Sequence, residues 1–221
     1  MKKFRRADSS YIAGVTQRIY TTDPGMTVPD GSWDLLVVKK ENHTEIILTG
    51  AITRPIPLEF APGTEVMNIS FDPAVFLPEL PSPQRLNKGI SLPVVGRNKF
   101  RFGSNVLEIP TFDNAEIFVE KMQHFGLLGN DKLVASVLQG QPMAASERSI
   151  QRHFQYATGL TYKYFEQIKR AEKALSLLQQ GMPALQVALA VGYSDQPHMI
   201  NSLKRLMGKT PKDIQSDPDT S

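Results

Sequence analysis

The side chains best suited to molecular recognition lie near the end of the chain, between Asp195 and Gly208. Gln196, His198 and Asn201 fall within this short segment. Glutamine and asparagine amides form paired hydrogen bonds with the edge of a purine, as arginine guanidinium groups do. The residue types and their spacing therefore suit hydrogen bonding to the base edges of a nucleic acid.

Several other kinds of chemistry lack the residues that they require. The chain contains no cysteine, which excludes disulfides, thiolate metal sites and a cysteine nucleophile, and fits a reducing compartment. We find no nucleotide loop, nucleophile elbow or paired-carboxylate signature. The histidines lie far apart, without a carboxylate at metal-ligand spacing. We therefore expect no enzyme, no metal and no other cofactor. The histidines are His43, His124, His153 and His198.

Trp33 and Asp34 are candidate contacts for a small-molecule effector. Trp33 is the only tryptophan, and its ring suits stacking on a ligand, while the Asp34 carboxylate can accept hydrogen bonds from one. Each residue also has a structural interpretation, with Trp33 in the core or at its rim and Asp34 at a turn or strand edge. The structural interpretation is the default, and the ligand role is a hypothesis.

The charge of the chain hints weakly at an anionic partner. Its formal net charge is +3 and its pI is about 9.0, and the basic residues gather between Arg148 and Lys212. No long apolar run follows the basic start, and no stretch is apolar over the length of a membrane span. We therefore expect a cytoplasmic protein without membrane contact.

The first half has the pattern of an antiparallel β domain. Glycine and proline recur every few residues up to about Asn114, and short β-branched and aromatic runs lie between them. This spacing predicts a barrel or a sandwich. The proline-rich segment 77–93 predicts a loop with at most one helical turn. The clearest strands are expected at 34–38, 45–49, 65–71 and 100–102.

Helical spacing replaces this pattern after Pro110. Ile117, Phe118, Met122 and Phe125 lie on one face of a predicted closing helix. Gly126–Asn130 then interrupts the pattern, which predicts a β-rich domain at 1–125 and a helical domain at 126–221, an α+β fold. The helices of the second domain are expected at about 132–139, 146–158, 162–180, 183–191 and 195–207.

The last two predicted helices form a helix-turn-helix. A short turn near Gly192 joins them, and the second helix has an exposed polar face, which allows it to enter a DNA major groove. Helical hairpins with polar faces also occur as plain structural elements. The pattern by itself therefore leaves both interpretations open.

Two stretches carry a family resemblance. Ser146–Phe154 with Ala157–Thr161 resembles the first half of the AraC/XylS signature, and Ala188–Met199 with Leu203–Arg205 and Gly208–Pro211 resembles the second half. The resemblance covers about 131–214. It implies a bacterial transcription regulator with two helix-turn-helix units joined by a long helix, here 162–180.

The resemblance also implies the DNA-contacting residues. In the first unit these are Arg148, Ser149, Gln151 and Arg152. In the second they are Gln196, His198, Asn201, Lys204 and Arg205, of which Lys204 and Arg205 suit phosphates. One departure is the segment Gly140–Ala145, which is a shorter approach to the first recognition helix than the family has. This puts the docking of the first unit in doubt.

The first half more loosely resembles a ligand-sensing domain of some AraC-type regulators, through Pro29–Gly31, Asp34–Leu35, Thr53–Pro55 and Ala61–Gly63. This implies a β-barrel-like domain that binds an effector or mediates dimerisation. The expected partners are double-stranded DNA, a small-molecule effector, RNA polymerase and a second copy of the chain.

Two other functions compete with that of a regulator. DNA-repair methyltransferases with an AraC-type domain need a reactive cysteine, and a metal-dependent barrel enzyme needs clustered histidine and glutamate, so an enzyme is disfavoured. Alternatively, the helical domain has lost DNA binding and holds a protein partner. Binding that falls steeply with salt would distinguish direct phosphate contact from this alternative.

Overall fold

The computed structural model describes residues 2–21, 25–41, 43–141 and 144–216, which form a sheet-rich N-terminal domain and a helical C-terminal domain. The strands are β1 Lys2–Arg5, β2 Ile12–Ile19, β3 Gly25–Thr27, β4 Asp34–Lys40, β5 His43–Thr49, β6 Ile56–Leu58, β7 Glu65–Phe71, β8 Val75–Phe76, β9 Gly89–Leu92, β10 Val94–Val95, β11 Lys99–Phe102, β12 Asn105–Glu108 and β13 Gly129–Asn130. The helices are α1 Ser82–Arg85, α2 Ala115–His124, α3 Lys132–Leu138, α4 Glu147–Thr158, α5 Tyr162–Gln179, α6 Ala184–Ala190, α7 Gln196–Met207 and α8 Pro211–Ser216.

One antiparallel sheet of six strands is the frame of the N-terminal domain. Its order is β1-β2-β7-β4-β5-β9. The smaller sheets are β10-β11-β12, β3-β6 and β8-β13. Within the described residues the large sheet is open, since β1 and β9 are its two edges. The predicted strands are present, but no closed barrel is found among them.

The central strands of this sheet have two chemically different faces. Leu35 pairs with Ile69 on one side and with Leu48 on the other, and all three are buried in the main core with α2, β11 and β12. Successive side chains of a strand point to opposite faces. Asp34 and Asn68 therefore lie on the face that is turned away from this core.

The helix that closes the sheet-rich domain forms where it is predicted, but with a different inward face. Phe118 and Met122 are buried, whereas Ile117 is 57% exposed and Phe125 is 51% exposed. The prediction for these last two residues is wrong. Ala115 and Val119 occupy the remaining inward positions, because the buried face follows the spacing i, i+3, i+4, i+7 from Ala115.

The segment predicted as a loop at 77–93 contains the single helical turn α1, but also the strand β9, which the prediction omitted. β9 pairs with β5 along Ile46–Thr49. The terminal helix α8 is a second omission. It begins at Pro211, a residue that can occupy the first turn of a helix because the missing N–H needs no partner there.

The two domains share packed surfaces. Ala74 lies in one buried cluster with Phe154 of α4 and Phe165 of α5. The chain also returns to the sheet-rich domain after α2, because β13 pairs with β8. The polypeptide therefore leaves that domain at Asp131, whose backbone N–H donates to the carbonyl of Ala74 at 2.8 Å.

Arg85 joins the sheet to this junction. Its side chain is fully buried and donates to the Leu80 carbonyl at 3.1 Å, the Thr49 carbonyl at 2.8 Å and the Ser82 hydroxyl at 3.1 Å. Its guanidinium lies 5.0 Å from the centre of the Trp33 ring. Burial lowers the pKa of Arg85 to about 10, so the group is charged at neutral pH.

We predict that Arg85→Met destabilises the protein by about 3 kcal/mol, because buried carbonyls lose a charged donor that a thioether cannot replace. Chemical unfolding in urea measures this change. The matched control is Arg101→Met, since Arg101 is exposed on β11. A loss for Arg85→Met no greater than that of the control would contradict the assigned role.

Candidate functional site

The first candidate recognition helix, α4, presents a basic face. Arg148 and Arg152 are both exposed, and their spacing of one turn places them side by side. Ser149 and Gln151 are half-buried. The Gln151 side-chain oxygen accepts a hydrogen bond from the backbone N–H of Tyr162 at 3.2 Å. Gln151 therefore caps α5, a role that the sequence did not indicate.

The start of α4 is set by a local hydrogen bond. The Ser146 hydroxyl accepts from the backbone N–H of Ser149 at 3.3 Å, which satisfies one of the free donors at the helix N-terminus. At the other end, Gly159 has φ +80°, a conformation that favours glycine, and it ends the helix. Both ends agree with the sequence prediction.

The approach to α4 differs from the approach to α7. The helix α3 packs against α4 through Val134 and Phe154, and Asp131 Oδ2 lies 2.7 Å from His153 Nδ1. The helix α3 therefore precedes the segment Gly140–Ala145 that leads to α4. Its connection to α4 is longer than the turn 191–195 before α7, and residues 142 and 143 of that connection lie outside the described residues.

The second candidate recognition helix, α7, buries one face and exposes the other. Met199, Leu203 and Leu206 are fully buried. Gln196 is half-buried, and the remaining predicted contact residues are exposed: His198, Asn201, Lys204 and Arg205. The helix begins at a hydrogen bond of 2.7 Å from the backbone N–H of His198 to Asp195, as predicted.

Two of the predicted residues on α7 already have partners within the protein. Arg205 donates to the side-chain oxygen of Gln167 at 2.8 Å, and its guanidinium lies 5.6 Å from the centre of the Tyr164 ring. His198 Nδ1 lies 3.0 Å from the Ser194 hydroxyl. These contacts fix the direction of both side chains, whereas no described hydrogen bond holds the side chain of Asn201 or Lys204.

A groove of about 620 Å³ separates α4 from α7, with α5 as its base. Gln151, His198 and Arg205 line it, so the structure brings these predicted residues together. Lys163 and Arg170 line it as well. Sequence reasoning did not assign them to the site, although both lie off the apolar stripe of α5. The groove is mixed in charge, because Glu147 and Glu166 also line it.

A second cavity, of about 280 Å³, lies in the N-terminal domain on the sheet face opposite the main core. We call it the sheet cavity. Asp34, Thr49 and Asn68 form its floor, and residues 25–32, which we call the roof segment, cover it. Aromatic and aliphatic walls are supplied by Tyr20, Leu36, Ile52, Leu58, Phe60 and Val66.

Of the two predicted effector contacts, the structure places only Asp34 at this cavity. Trp33 is 2% exposed, its indole N–H donates to the Val75 carbonyl at 2.7 Å, and its ring stacks on Phe71 with the ring centres 3.8 Å apart. It therefore belongs to the main core, which is its default interpretation from the sequence, and its role as an effector contact stays a hypothesis. Adjacent strand positions point to opposite faces, which explains why the two neighbours separate.

The Asp34 side chain is held by hydrogen bonds, and its environment disfavours the ionised form. It accepts from the Asn68 amide at 3.2 Å and from the Thr49 hydroxyl at 3.3 Å. Burial, and then the negative charge of Asp30, raise its pKa to about 6. Burial also raises the pKa of Asp30, although a backbone hydrogen bond from Ser32 and the positive charge of Lys169 oppose this.

Neither a metal centre nor a membrane helix emerges from the described part of the chain. No group of three or more candidate ligands there is arranged to hold a metal ion. No helix among the described residues combines the length and the apolar character that crossing a membrane requires.

The comparisons with known proteins identify the helical domain. Residues 141–217 match a family model described as a helix-turn-helix domain, which is of the AraC type. No curated protein matches the chain.

Three similar solved structures are of ToxT from Vibrio cholerae. The apo form of a ToxT variant has 9% identity, with 94% of this chain and 97% of that chain covered and a TM-score of 0.43. A second ToxT structure has 10% identity, 95% and 96% coverage and a TM-score of 0.36. A third, bound to a naphthalenyl-butenoic acid, has 10% identity, the same coverage and a TM-score of 0.32.

The raised pKa of Asp34 predicts a stability that depends on pH. The folded protein holds this proton up to about pH 6, whereas an unfolded chain loses it near pH 4. Stability from this group is therefore present below about pH 4 and is lost as the pH rises to about 6. Asp34→Asn should stabilise the protein relative to wild type by on the order of 2 kcal/mol more at pH 7.5 than at pH 4.

Urea unfolding at the two pH values measures this difference. The matched control is Asp8→Asn, which removes an exposed aspartate and should show no comparable dependence. An equal effect of Asp34→Asn at both pH values would show that the carboxylate is not disfavoured in the folded state.

Proposed function

Because residues 141–217 form an AraC-type helix-turn-helix domain, we propose that this protein regulates transcription by binding specific duplex DNA through α4 and α7. The observation that carries the proposal is the exposed row of basic and amide side chains on these two helices, which α5 joins. Recognition helices of this kind lie in the DNA major groove.

The side chains divide by the contacts that they are free to make. Arg148 and Arg152 are exposed on α4 and suit guanine edges or phosphates, while Asn201 on α7 suits an adenine edge. Lys204 suits a phosphate. Arg205 is held by Gln167, so it meets the DNA from a fixed direction.

The helical domain carries the excess of positive charge. Residues 126–221 contain 11 lysines and arginines against 8 aspartates and glutamates, whereas residues 1–125 contain 14 of each. The net charge of +3 therefore belongs to the domain that holds α4 and α7. Positive charge on a nucleic-acid-binding surface supports association through phosphate contacts.

We further propose that the sheet cavity holds a small-molecule effector that controls DNA binding. The roof segment lies between the cavity and the helices. A Cβ atom on Gly31 would lie 2.3 Å from the Phe165 ring on α5, and one on Gly208, at the end of α7, would lie 2.8 Å from the Met26 sulfur. A ligand that moves the roof segment would therefore shift the population of arrangements of α5 and α7.

Asp30 adds an electrostatic interaction to the packing contacts between the sheet cavity and α5. It lines the sheet cavity and also a cleft of about 290 Å³ that Phe165 and Lys169 of α5 line from the other side. The charge of Lys169 acts on the Asp30 carboxyl. A change of charge in the cavity would therefore change the electrostatic potential at Lys169 of α5. RNA polymerase and a second copy of the chain remain candidate partners of the proposed regulator.

The alternative is a protein-binding domain that has lost DNA binding. Glu147 and Glu166 in the groove favour it, because carboxylates repel phosphates. Salt dependence separates the two functions, since phosphate contacts release counterions on binding.

We predict that the protein binds its own upstream DNA more tightly than random duplex, as measured by fluorescence anisotropy. Gln196→Ala with Asn201→Ala should reduce this preference at least about tenfold, since a base contact contributes about 1–3 kcal/mol of discrimination. Arg148→Ala with Arg152→Ala should weaken binding to both duplexes. It should also lower the slope of log K against log salt by about 1 for each phosphate that the variant no longer neutralises.

The matched control for the arginine pair is Lys99→Ala with Arg101→Ala, which removes two exposed charges from β11 and should leave affinity unchanged. Direct DNA binding is rejected if the folded protein binds neither duplex at low salt and DNA binding does not require an effector. The protein-binding function would then take its place.

A further inference from the structure

The floor of the sheet cavity offers hydrogen-bond acceptors. The Asn68 amide nitrogen donates to Asp34, so its oxygen is the atom left over. This oxygen is buried and has no hydrogen-bond partner among the described residues. A buried polar atom without a partner is costly, and a donor from a bound molecule would remove that cost.

Two carboxylates face the same space. Asp34 lies in the floor and Asp30 in the roof segment, and both line the cavity. Neither takes part in a salt bridge among the described residues. Burial, and then repulsion by Asp30, raises the pKa of Asp34. The inner end of the cavity therefore has negative charge that no neighbouring side chain pairs with directly.

The protein's own cations lie elsewhere. Arg18 is paired with Val66 on β7, four residues along that strand from Ser70, which pairs with Asp34. At the rise of a β-strand, the backbone positions of Val66 and Ser70 are about 13 Å apart. The Arg18 guanidinium lies 4.8 Å from the centre of the Tyr20 ring, and Lys2 is exposed beside it. These cations border the outer end of the cavity. Lys169 acts on Asp30 from the other side of the roof segment.

The space between the two ends is apolar and partly aromatic. Tyr20 and Phe60 pack with their ring centres 4.7 Å apart, and Leu36 and Leu58 complete the walls. The volume of about 280 Å³ is at the lower end of the range for small-molecule sites. A compact molecule with one polar end and an apolar body matches this shape.

We propose that the sheet cavity binds a small molecule that carries a protonated amine on an apolar or aromatic body, a proposal that rests on the sensor role proposed above. The ammonium group lies at the inner end, where it donates to the Asp34 carboxylate and to the Asn68 oxygen and neutralises the charge shared with Asp30. The body packs against Leu36, Leu58 and Phe60.

This geometry selects against other ligand charges. A ligand carboxylate at the inner end would face two carboxyl groups and an amide oxygen. None of these is a positively charged hydrogen-bond donor. A neutral alcohol donates one hydrogen bond and leaves the charge of Asp34 unpaired. Hydrogen bonds between charged groups are about twice as strong as those between neutral ones, so the amine should bind more tightly than an alcohol of the same shape.

Three molecules that share a phenethyl group and differ in their polar end test the proposal on the full chain: phenethylamine, phenethyl alcohol and hydrocinnamate. Titrations followed by protein NMR at pH 7.5 give their dissociation constants. We expect phenethylamine to bind at least about tenfold more tightly than the alcohol and hydrocinnamate to bind least. Shifts of the Asn68 side-chain amide signal should accompany amine binding.

Two variants localise the effect. Asp34→Asn keeps the shape of the side chain and removes its charge, and it should weaken phenethylamine binding about tenfold while leaving alcohol binding nearly unchanged. The matched control, Asp8→Asn, removes an exposed charge and should leave all three constants unchanged. Thermal unfolding confirms that Asp34→Asn is folded.

The outcomes separate this proposal from the proposed function. Tighter binding of hydrocinnamate, or amine binding that Asp34→Asn does not weaken, would overturn the amine site, as would no binding of phenethylamine at about 10 mM. DNA affinity measured with the same samples is independent of this result. If the amine binds as expected but DNA affinity does not change, the ligand class stands and effector control fails.

Discussion

The buried guanidinium of Arg85 is the interaction on which the arrangement of the two domains depends. It holds the carbonyl of Thr49 at the end of β5 and the hydroxyl of Ser82 in α1. The same Ser82 hydroxyl donates to the carbonyl of Ala157 in α4 at 2.6 Å. One charged side chain thus links the floor of the sheet cavity to α4. Gly50 allows this close approach, since a Cβ atom there would lie 2.1 Å from the Arg85 carbonyl oxygen.

The two faces of the sheet explain how a small domain supports both stability and binding. One face carries the aliphatic core, in which Leu35, Leu48 and Ile69 are buried. The other face can then tolerate the polar floor of a cavity, because the first face already supplies the apolar burial that stabilises the domain. The roof segment covers that second face and also packs on the helical domain. The roof segment therefore contacts both the cavity and the helical domain.

Much of the local structure was predictable from the sequence because its causes are local. The caps at Ser146 and Asp195 and the glycine ends at Gly159 and Gly208 depend on hydrogen bonds and dihedral angles within a few residues. The separation of Trp33 from Asp34 was also available, since Trp33 has the parity of Leu35 and not of Asp34.

The remaining features depend on contacts between distant parts of the chain. Gln151 caps a helix that begins 11 residues later, and Arg85 reaches Thr49 across 36 residues. No periodicity and no motif in the sequence marks either contact. The groove residues Lys163 and Arg170 were visible as polar positions of α5, but only packing shows that they border the same space as α7. The position of a recognition side chain is thus harder to predict than the helix that carries it.

Asp30 shows how these distant contacts could turn binding into control. Its carboxyl group faces the cavity on one side and the positive charge of Lys169 on the other. Lys169 is itself paired with Glu172 at 2.9 Å, so a cation in the cavity and Lys169 would both act on Asp30 through their charge and not through a shared ion pair. Lys169 belongs to α5, which also carries the base of the groove between α4 and α7. In the proposed regulator, a charged ligand would act on α5 through electrostatics as well as through the packing of the roof segment, whereas a neutral ligand would have only the packing route.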